Sequence, residues 1–211
     1  MTAGKFIALE GGEGAGKSTQ ARLLASALAQ RGIDCVVTRE PGGTPGAEAI
    51  RGLLLGLEGD GWHPRAEALL FAAARSDHVE RLIAPALAAG NWVICDRFVD
   101  SSRAYQGGAG GLSDADLREL HRIGSGGLLP NLTLLFEIAP ETARNRLALR
   151  DAAGSDRIGG RDAAYHARVA AAFAGFAAAE PERFARIAAN SAPEEVHARV
   201  MSALAPLLAA P

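Results

Sequence analysis

Eight residues near the start of the chain constrain it more than any others. Gly11-Gly12-Glu13-Gly14-Ala15-Gly16-Lys17-Ser18 fits G-x-x-x-x-G-K-[ST]. The pattern follows a short apolar run, Phe6-Ile7-Ala8-Leu9, and opens a helical stretch from Ser18 to Gln30. That is the context in which it has a physical meaning. Glycines let consecutive backbone N–H groups turn inward around phosphate oxygens, and the helix N-terminus adds positive potential. A lysine at the end of the loop can reach the β- and γ-phosphates, and the serine hydroxyl can ligate Mg²⁺. Composition sharpens the point. Of 22 basic residues 20 are arginine; the only lysines are Lys5 and Lys17. The two side chains are not interchangeable at tight sites, so a chain that uses arginine almost everywhere has kept Lys17 for a reason. Residues 11–18 with Thr19 read as a nucleoside triphosphate cradle, with Lys17 catalytic and Ser18 on the metal.

The rest of the chain supplies the frame such a loop requires. Apolar runs at Phe6–Leu9, Ile33–Thr38, Trp92–Cys95, Leu132–Ile138 and Phe184–Ala188 read as buried strands. They are apolar almost continuously, which suits a parallel sheet covered on both faces. Helical stretches lie between and after them: Ser18–Gln30, Ala66–Ala89 with Leu69, Leu70, Ala73, Leu82 and Leu87, Asp114–Ile123 with Ser113 as N-cap, Ala164–Ala179, and a closing amphipathic helix, Glu194–Leu208. The alternation predicts a doubly wound α/β domain, a five-stranded parallel sheet of the P-loop NTPase kind flanked by helices. Three stretches stand outside that core. Pro41–Gly61 holds an apolar run, Ile50–Leu57, and reads as a helical insert. Gly107–Gly111 reads as a mobile turn, and Arg150–Asp162, polar and dotted with arginine, as a flexible lid.

At 211 residues the chain is one domain by length, 1–211. A net charge of −2 excludes a broadly basic nucleic-acid footprint. The glycine-rich start is no secretory leader, and no apolar stretch approaches the ~18 residues of a membrane span. Cys35 and Cys95 sit in apolar runs and read as reduced thiols, so the expected setting is cytoplasmic. No N-K-x-D or T-K-x-D guanine-reading motif is present, and the five histidines show no metal-ligand spacing.

A second cluster follows the strand Trp92–Cys95. Asp96 stands at a strand's carboxyl end, where α/β ligands bind, and can hold Mg²⁺. Arg97 beside it can grip a second phosphate. Here the chain resembles the bacterial thymidylate kinases. The resemblance rests on the loop at 11–18, on Thr38-Arg39-Glu40-Pro41-Gly42-Gly43-Thr44, and on Leu69-Leu70-Phe71-Ala72-Ala73-Ala74-Arg75. It continues through Asp96-Arg97-Phe98-Val99-Asp100-Ser101-Ser102-Arg103-Ala104-Tyr105-Gln106-Gly107 and ends on Asp156-Arg157.

The resemblance implies phosphoryl transfer from ATP to dTMP, giving ADP and dTDP, with Mg²⁺ and in a homodimer. It implies an acceptor-binding insert at about 39–61 and a lid at about 150–162. Phe71 would stack on thymine and Arg75, four residues on and so on the same helix face, would bond the base carbonyl. Arg51 and Arg97 would hold the dTMP phosphate. Ser102 and Gln106 would meet the base edge, and Tyr105 would lie where a ribose 2′-hydroxyl would sit. Glu13 would reach the sugar 3′-hydroxyl, and Glu40 and Pro41 would shape the acceptor wall. Because Glu13 occupies a position where other forms of this kinase carry a catalytic arginine, the transition-state cation falls to the lid, with Arg157 ahead of Arg150 and Arg161. The sequence departs from the family pattern at Gly159-Gly160-Arg161, which follows that arginine, and at Phe98, where tyrosine is commoner. Two rivals stand beside this reading: another P-loop nucleotide or deoxynucleoside kinase, and a nucleotide-dependent switch or binding module.

Overall fold

The computed structural model describes residues 4–57, 61–150 and 161–209. Five strands form one parallel sheet: β1 Phe6–Gly11, β2 Cys35–Arg39, β3 Trp92–Asp96, β4 Leu132–Glu137 and β5 Phe184–Ala188. Their spatial order is β2-β3-β1-β4-β5, every pairing parallel. All five predicted strands are present, with ends within two residues of expectation. Side chains alternate across β1. Ile7 and Leu9 join a core with Leu24, Leu28, Val200 and Leu204, while Phe6 and Ala8 join another with Val79, Ile83 and Phe98. A strand with a hydrophobic core on each side cannot show polar alternation, which is why these runs read as continuous.

Helix α1 (Lys17–Ala29) and the last helix, α9 (Pro193–Ala209), pack on one face. The insert is helical as expected: α2, Pro45–Gly56, is capped by Thr44, whose side chain accepts from the Ala47 N–H. The expected 66–89 helix is continuous but not uniform. Helix α3 (Pro64–His78) runs into a π-helical turn, Val79–Ile83, and then into α4 (Ala84–Ala88). Its predicted core leucine Leu69 is 56% exposed, whereas the charged Glu67, Arg75 and His78 are buried. Leu82 and Leu87 do pack against the core with Val79 and Ile83, so the expected apolar positions hold at the far end of the stretch and fail at Leu69 and Ala73.

The glycine cluster also differs from expectation. After β3 come α5 (Val99–Ser102) and a second π-helical turn, Arg103–Gly108, which absorbs its first two glycines. Gly107 is buried, and a Cβ on Gly108 would lie 2.5 Å from that of Ala172, so this part is packed rather than a free turn. Helix α6 (Asp114–Ser125) begins at Ser113, whose hydroxyl accepts from Asp116 N–H as expected. Helices α7 (Pro140–Arg150) and α8 (Ala163–Ala179) flank the expected lid. Arg150 belongs to α7, Asp162 caps α8, and residues 151–160, with Arg157, lie outside the described residues.

Candidate active site

The parallel register places Leu9 beside Asp96, so the loop after β1 and the residues after β3 meet at the carboxyl end of the sheet. Within the loop, glycine is obligatory where backbone crowds it. A Cβ on Gly11, at φ 133°, would meet the Phe136 carbonyl oxygen at 2.4 Å. Gly16, at φ 89°, turns left-handed into α1 and offers no side-chain cap, so the first N–H groups of the helix stay available. Lys17 is 7% exposed and donates to the carbonyls of Gly11 (3.1 Å) and Gly12 (2.8 Å). Burial, aided by the Arg97 charge, pulls its ammonium down to about 8 against the opposing pull of Asp96, Glu13 and Glu10. The Ser18 hydroxyl donates to the Asp96 carboxylate at 2.6 Å.

Beyond Asp96, Arg97 takes φ 71°, a conformation no other described non-glycine residue adopts. Its guanidinium donates to the Gly11 carbonyl and the Ser101 hydroxyl, both at 3.1 Å, and pairs with Glu13. It also lies over the Tyr105 ring, 5.0 Å from the centroid. Opposite stands a buried polar knot. Arg75 donates through Nε to Glu40 at 2.7 Å and through Nη2 to Ser102 Oγ at 2.9 Å; His78 faces the other Glu40 oxygen at 3.2 Å. Arg51 holds the Pro41 carbonyl at 2.8 Å.

These groups line one cavity of about 620 Å³. Glu13 to Thr19 form one end, and Glu40, Pro41, Arg51, Phe71, Arg75, Ser102, Tyr105 and Gln106 form the other, with Asp96 and Arg97 also in the lining. Of the expected site residues, Gly11 and Gly12 turn their carbonyls to Lys17 instead of lining it, and Arg157 lies outside the described residues. Arg161, the alternative cation, is held by Glu67 at 2.7 Å and by the Tyr165 hydroxyl.

Two further residues belong here that no motif in the sequence marks. Arg146 on α7 lines the phosphate-loop end and donates to the Ala189 carbonyl at 2.9 Å. Glu10, fully buried at the end of β1, accepts from the N–H of Phe98 (2.8 Å), the N–H of Ser101 (3.0 Å) and the Ser101 hydroxyl (2.6 Å). It thus clamps the turn that carries Arg97. A charged residue inside an otherwise apolar strand was the available signal. Burial, reinforced by Asp100, pushes the Glu10 carboxyl up to about 7 from an ordinary 4.5. Between those values the folded chain binds the proton and the unfolded chain does not, so this group's contribution falls as pH rises. Glu10→Gln mimics the protonated form. Wild-type stability relative to that variant should drop by about 3 kcal/mol from pH 4.5 to 7.5. Thermal unfolding of both proteins across that range checks it; a constant difference would contradict the assignment.

Comparison with known proteins gives one answer. The thymidylate kinase family model matches residues 9–200. A thymidylate kinase of Rhizorhabdus wittichii is 60% identical over 205 residues, 97% of this chain and 99% of that one. One from Rhodopseudomonas palustris is 50% identical over 203 residues, covering 95% and 88% of the two chains. The crystal structure of thymidylate kinase from Ehrlichia chaffeensis superposes with a TM-score of 0.78 at 30% identity, covering 96% of this chain and all of that one. A family model matched over residues 9–200 and relatives at 50–60% identity over nearly the whole chain leave one conclusion: the chain belongs to the thymidylate kinase family.

Proposed function

We propose that this chain performs its family's reaction, ATP plus dTMP giving ADP plus dTDP, across the single cavity described above, as one domain. The observation that carries the proposal is that one cavity is lined by two differently built sets of residues with the Asp96–Arg97 pair among them, Asp96 bonded to Ser18 of the first set and Arg97 lying over the Tyr105 ring of the second. One end is a glycine loop with uncapped N–H groups and Lys17. It suits a triphosphate. The other end combines the flat ring of Phe71 with the fixed guanidinium fork of Arg75. It suits a flat base bearing a carbonyl.

In-line transfer requires positioning and charge rather than a covalent intermediate. Lys17 would leave its two carbonyls for the β- and γ-phosphate oxygens. Arg97 and Arg51 would bind the acceptor phosphate, neutralising it so that two anions can approach. Tyr105 would close the sugar pocket against a 2′-hydroxyl, and Glu13 would reach the 3′-hydroxyl. Glu40 and Pro41 would form the wall, with Glu40 fixed by Arg75 and His78. The Ser18 hydroxyl and the Asp96 carboxylate, 2.6 Å apart, are hard oxygen donors that fit Mg²⁺, which takes few protein ligands and completes its shell with water and phosphate. When bound, Mg²⁺ supplies positive charge to the phosphates. By family resemblance Arg157 would add the transition-state cation from the lid. The engagement of Arg161 by Glu67 and Tyr165 supports that choice over Arg161.

A homodimer is part of the proposal. The outward faces of α2, α3 and α6 carry Leu53, Leu69 and Ile123, each more than half exposed, and an apolar surface of this kind suits a second copy. A cytoplasmic setting fits the two free cysteines, and no helix among the described residues is long and apolar enough to cross a membrane. The test is ADP release with dTMP, dUMP, dGMP, dAMP and UMP as acceptors. Turnover should be stimulated most by dTMP. Slow ATP hydrolysis indifferent to every acceptor would instead support a switch.

A further inference from the structure

Glu67, in the first turn of α3, is 3% exposed, yet it is charged and does not line the cavity. Its two carboxylate oxygens take different partners. Oε1 accepts from Gln106 Nε2 at 2.9 Å, and Oε2 accepts from Arg161 Nη2 at 2.7 Å. Arg161 also donates to the Tyr165 hydroxyl, and that hydroxyl donates to the Tyr105 carbonyl at 2.8 Å. A carboxylate paired with a guanidinium offers acceptors to its other neighbours. Gln106 must therefore turn its NH₂ group toward Glu67. The atom it has left for a ligand in the cavity is its carbonyl Oε1.

The neighbouring donor is fixed in the same manner. Arg75 commits Nε to Glu40 and Nη2 to Ser102 and the Phe98 carbonyl. Among the described residues its Nη1 has no protein acceptor. The acceptor end of the cavity thus shows a cationic donor and an amide acceptor. Thymine and uracil present a carbonyl beside a ring N–H, the complementary pair. Cytosine presents an amine beside a bare ring nitrogen, and both of its groups oppose what the site offers.

We propose that Glu67 sets the base preference of the acceptor site by locking the Gln106 amide with its carbonyl toward the cavity. Glu67 is a positioning residue, and the inference rests on the acceptor reading given above. Freed of Glu67, the Gln106 amide can rotate by half a turn and offer NH₂ to the cytosine ring nitrogen. A site built to hydrogen-bond one pattern rejects the other because buried groups are left unpaired.

The experiment is Glu67→Gln, whose own amide can satisfy Gln106 in either orientation. Steady-state kcat/KM is measured for dTMP, dUMP and dCMP. The dTMP-to-dCMP ratio should fall by ~10-fold or more. The dTMP-to-dUMP ratio should hold, because those bases share the imide edge. A merely structural role would lower all three acceptors together, and an unchanged dTMP-to-dCMP ratio in a folded variant overturns the proposal. If thermal unfolding shows that Glu67→Gln does not fold, Gln106→Met decides: deletion of the inward carbonyl must collapse the same ratio, and its survival overturns the proposal. A wild-type chain inert toward dTMP overturns instead the acceptor reading beneath it.

Discussion

Lys17→Ala is expected to depress phosphoryl transfer by ~10³-fold, the scale of a lost transition-state contact, while leaving the fold intact. The structure gives both halves of that expectation a cause. The ammonium donates to two carbonyl oxygens on a side chain only 7% exposed, with an affinity for its proton lowered to about 8. Burying it charged works against folding. From pH 8 to 10.5 the unfolded chain holds this proton and the folded chain does not, so stability gains from this group as pH rises there and is lowest below 8. The side chain is therefore kept for its ligand, and its removal should raise stability at pH 7, by up to about 3 kcal/mol, rather than lower it. A triphosphate would restore the opposing charge and with it the proton. ATP binding at pH 8.5 should then take up protons in the wild type and not in Lys17→Ala, which calorimetry in buffers of different ionisation enthalpy reads directly. A folded variant with activity within about threefold of wild type would sink the role assigned to Lys17.

How much of this was visible in the sequence depends on whether local pattern or long-range contact decides each feature. The strands were legible because β1, β3 and β4 lie between two hydrophobic cores, and continuous apolar runs of that length have few other uses. The glycine loop was legible because its job is done by backbone, which admits few sequences. The inner face of helix α3 is not legible in the sequence because contacts from distant segments set it. Arg75 is covered by Glu40 and Ser102, and Glu67 by Gln106 and Arg161. A hydrophobic stripe presumes that the inner face meets apolar neighbours. Here it meets a site, and Leu69 is left outside. The same reason hid Glu10, whose meaning lies in three donors about 90 positions away. The two π-helical turns had no period of their own to detect, yet the second one delivers Tyr105 and Gln106 to the cavity.

Arg97→Ala should raise KM for the acceptor by ~10–150-fold and leave ATP affinity nearly unchanged, the cost of one charge-assisted phosphate contact. The upper part of that range is expected because Arg97 does not act alone. It pairs with Glu13, and its loss removes one positive charge from beside that carboxylate, which lines the cavity near the space assigned to an incoming phosphate. Combining Arg97→Ala with Glu13→Gln should therefore recover part of the acceptor affinity while kcat stays low. The backbone offers a separate readout. At φ 71° a side chain carries strain that glycine does not. Arg97→Gly should be more stable than Arg97→Ala by about 1 kcal/mol, yet equally poor toward dTMP. Clamping by Glu10 through Phe98 and Ser101 is what holds the strained turn in place. Strain maintained by a buried carboxylate and directed at a cavity has a functional reading only if the guanidinium, not the turn, determines acceptor binding. Steady-state kinetics and melting of the two single variants separate these. If ATP affinity falls while dTMP affinity holds, Arg97 belongs to the donor nucleotide; if the glycine variant binds dTMP as wild type does, the turn alone sufficed.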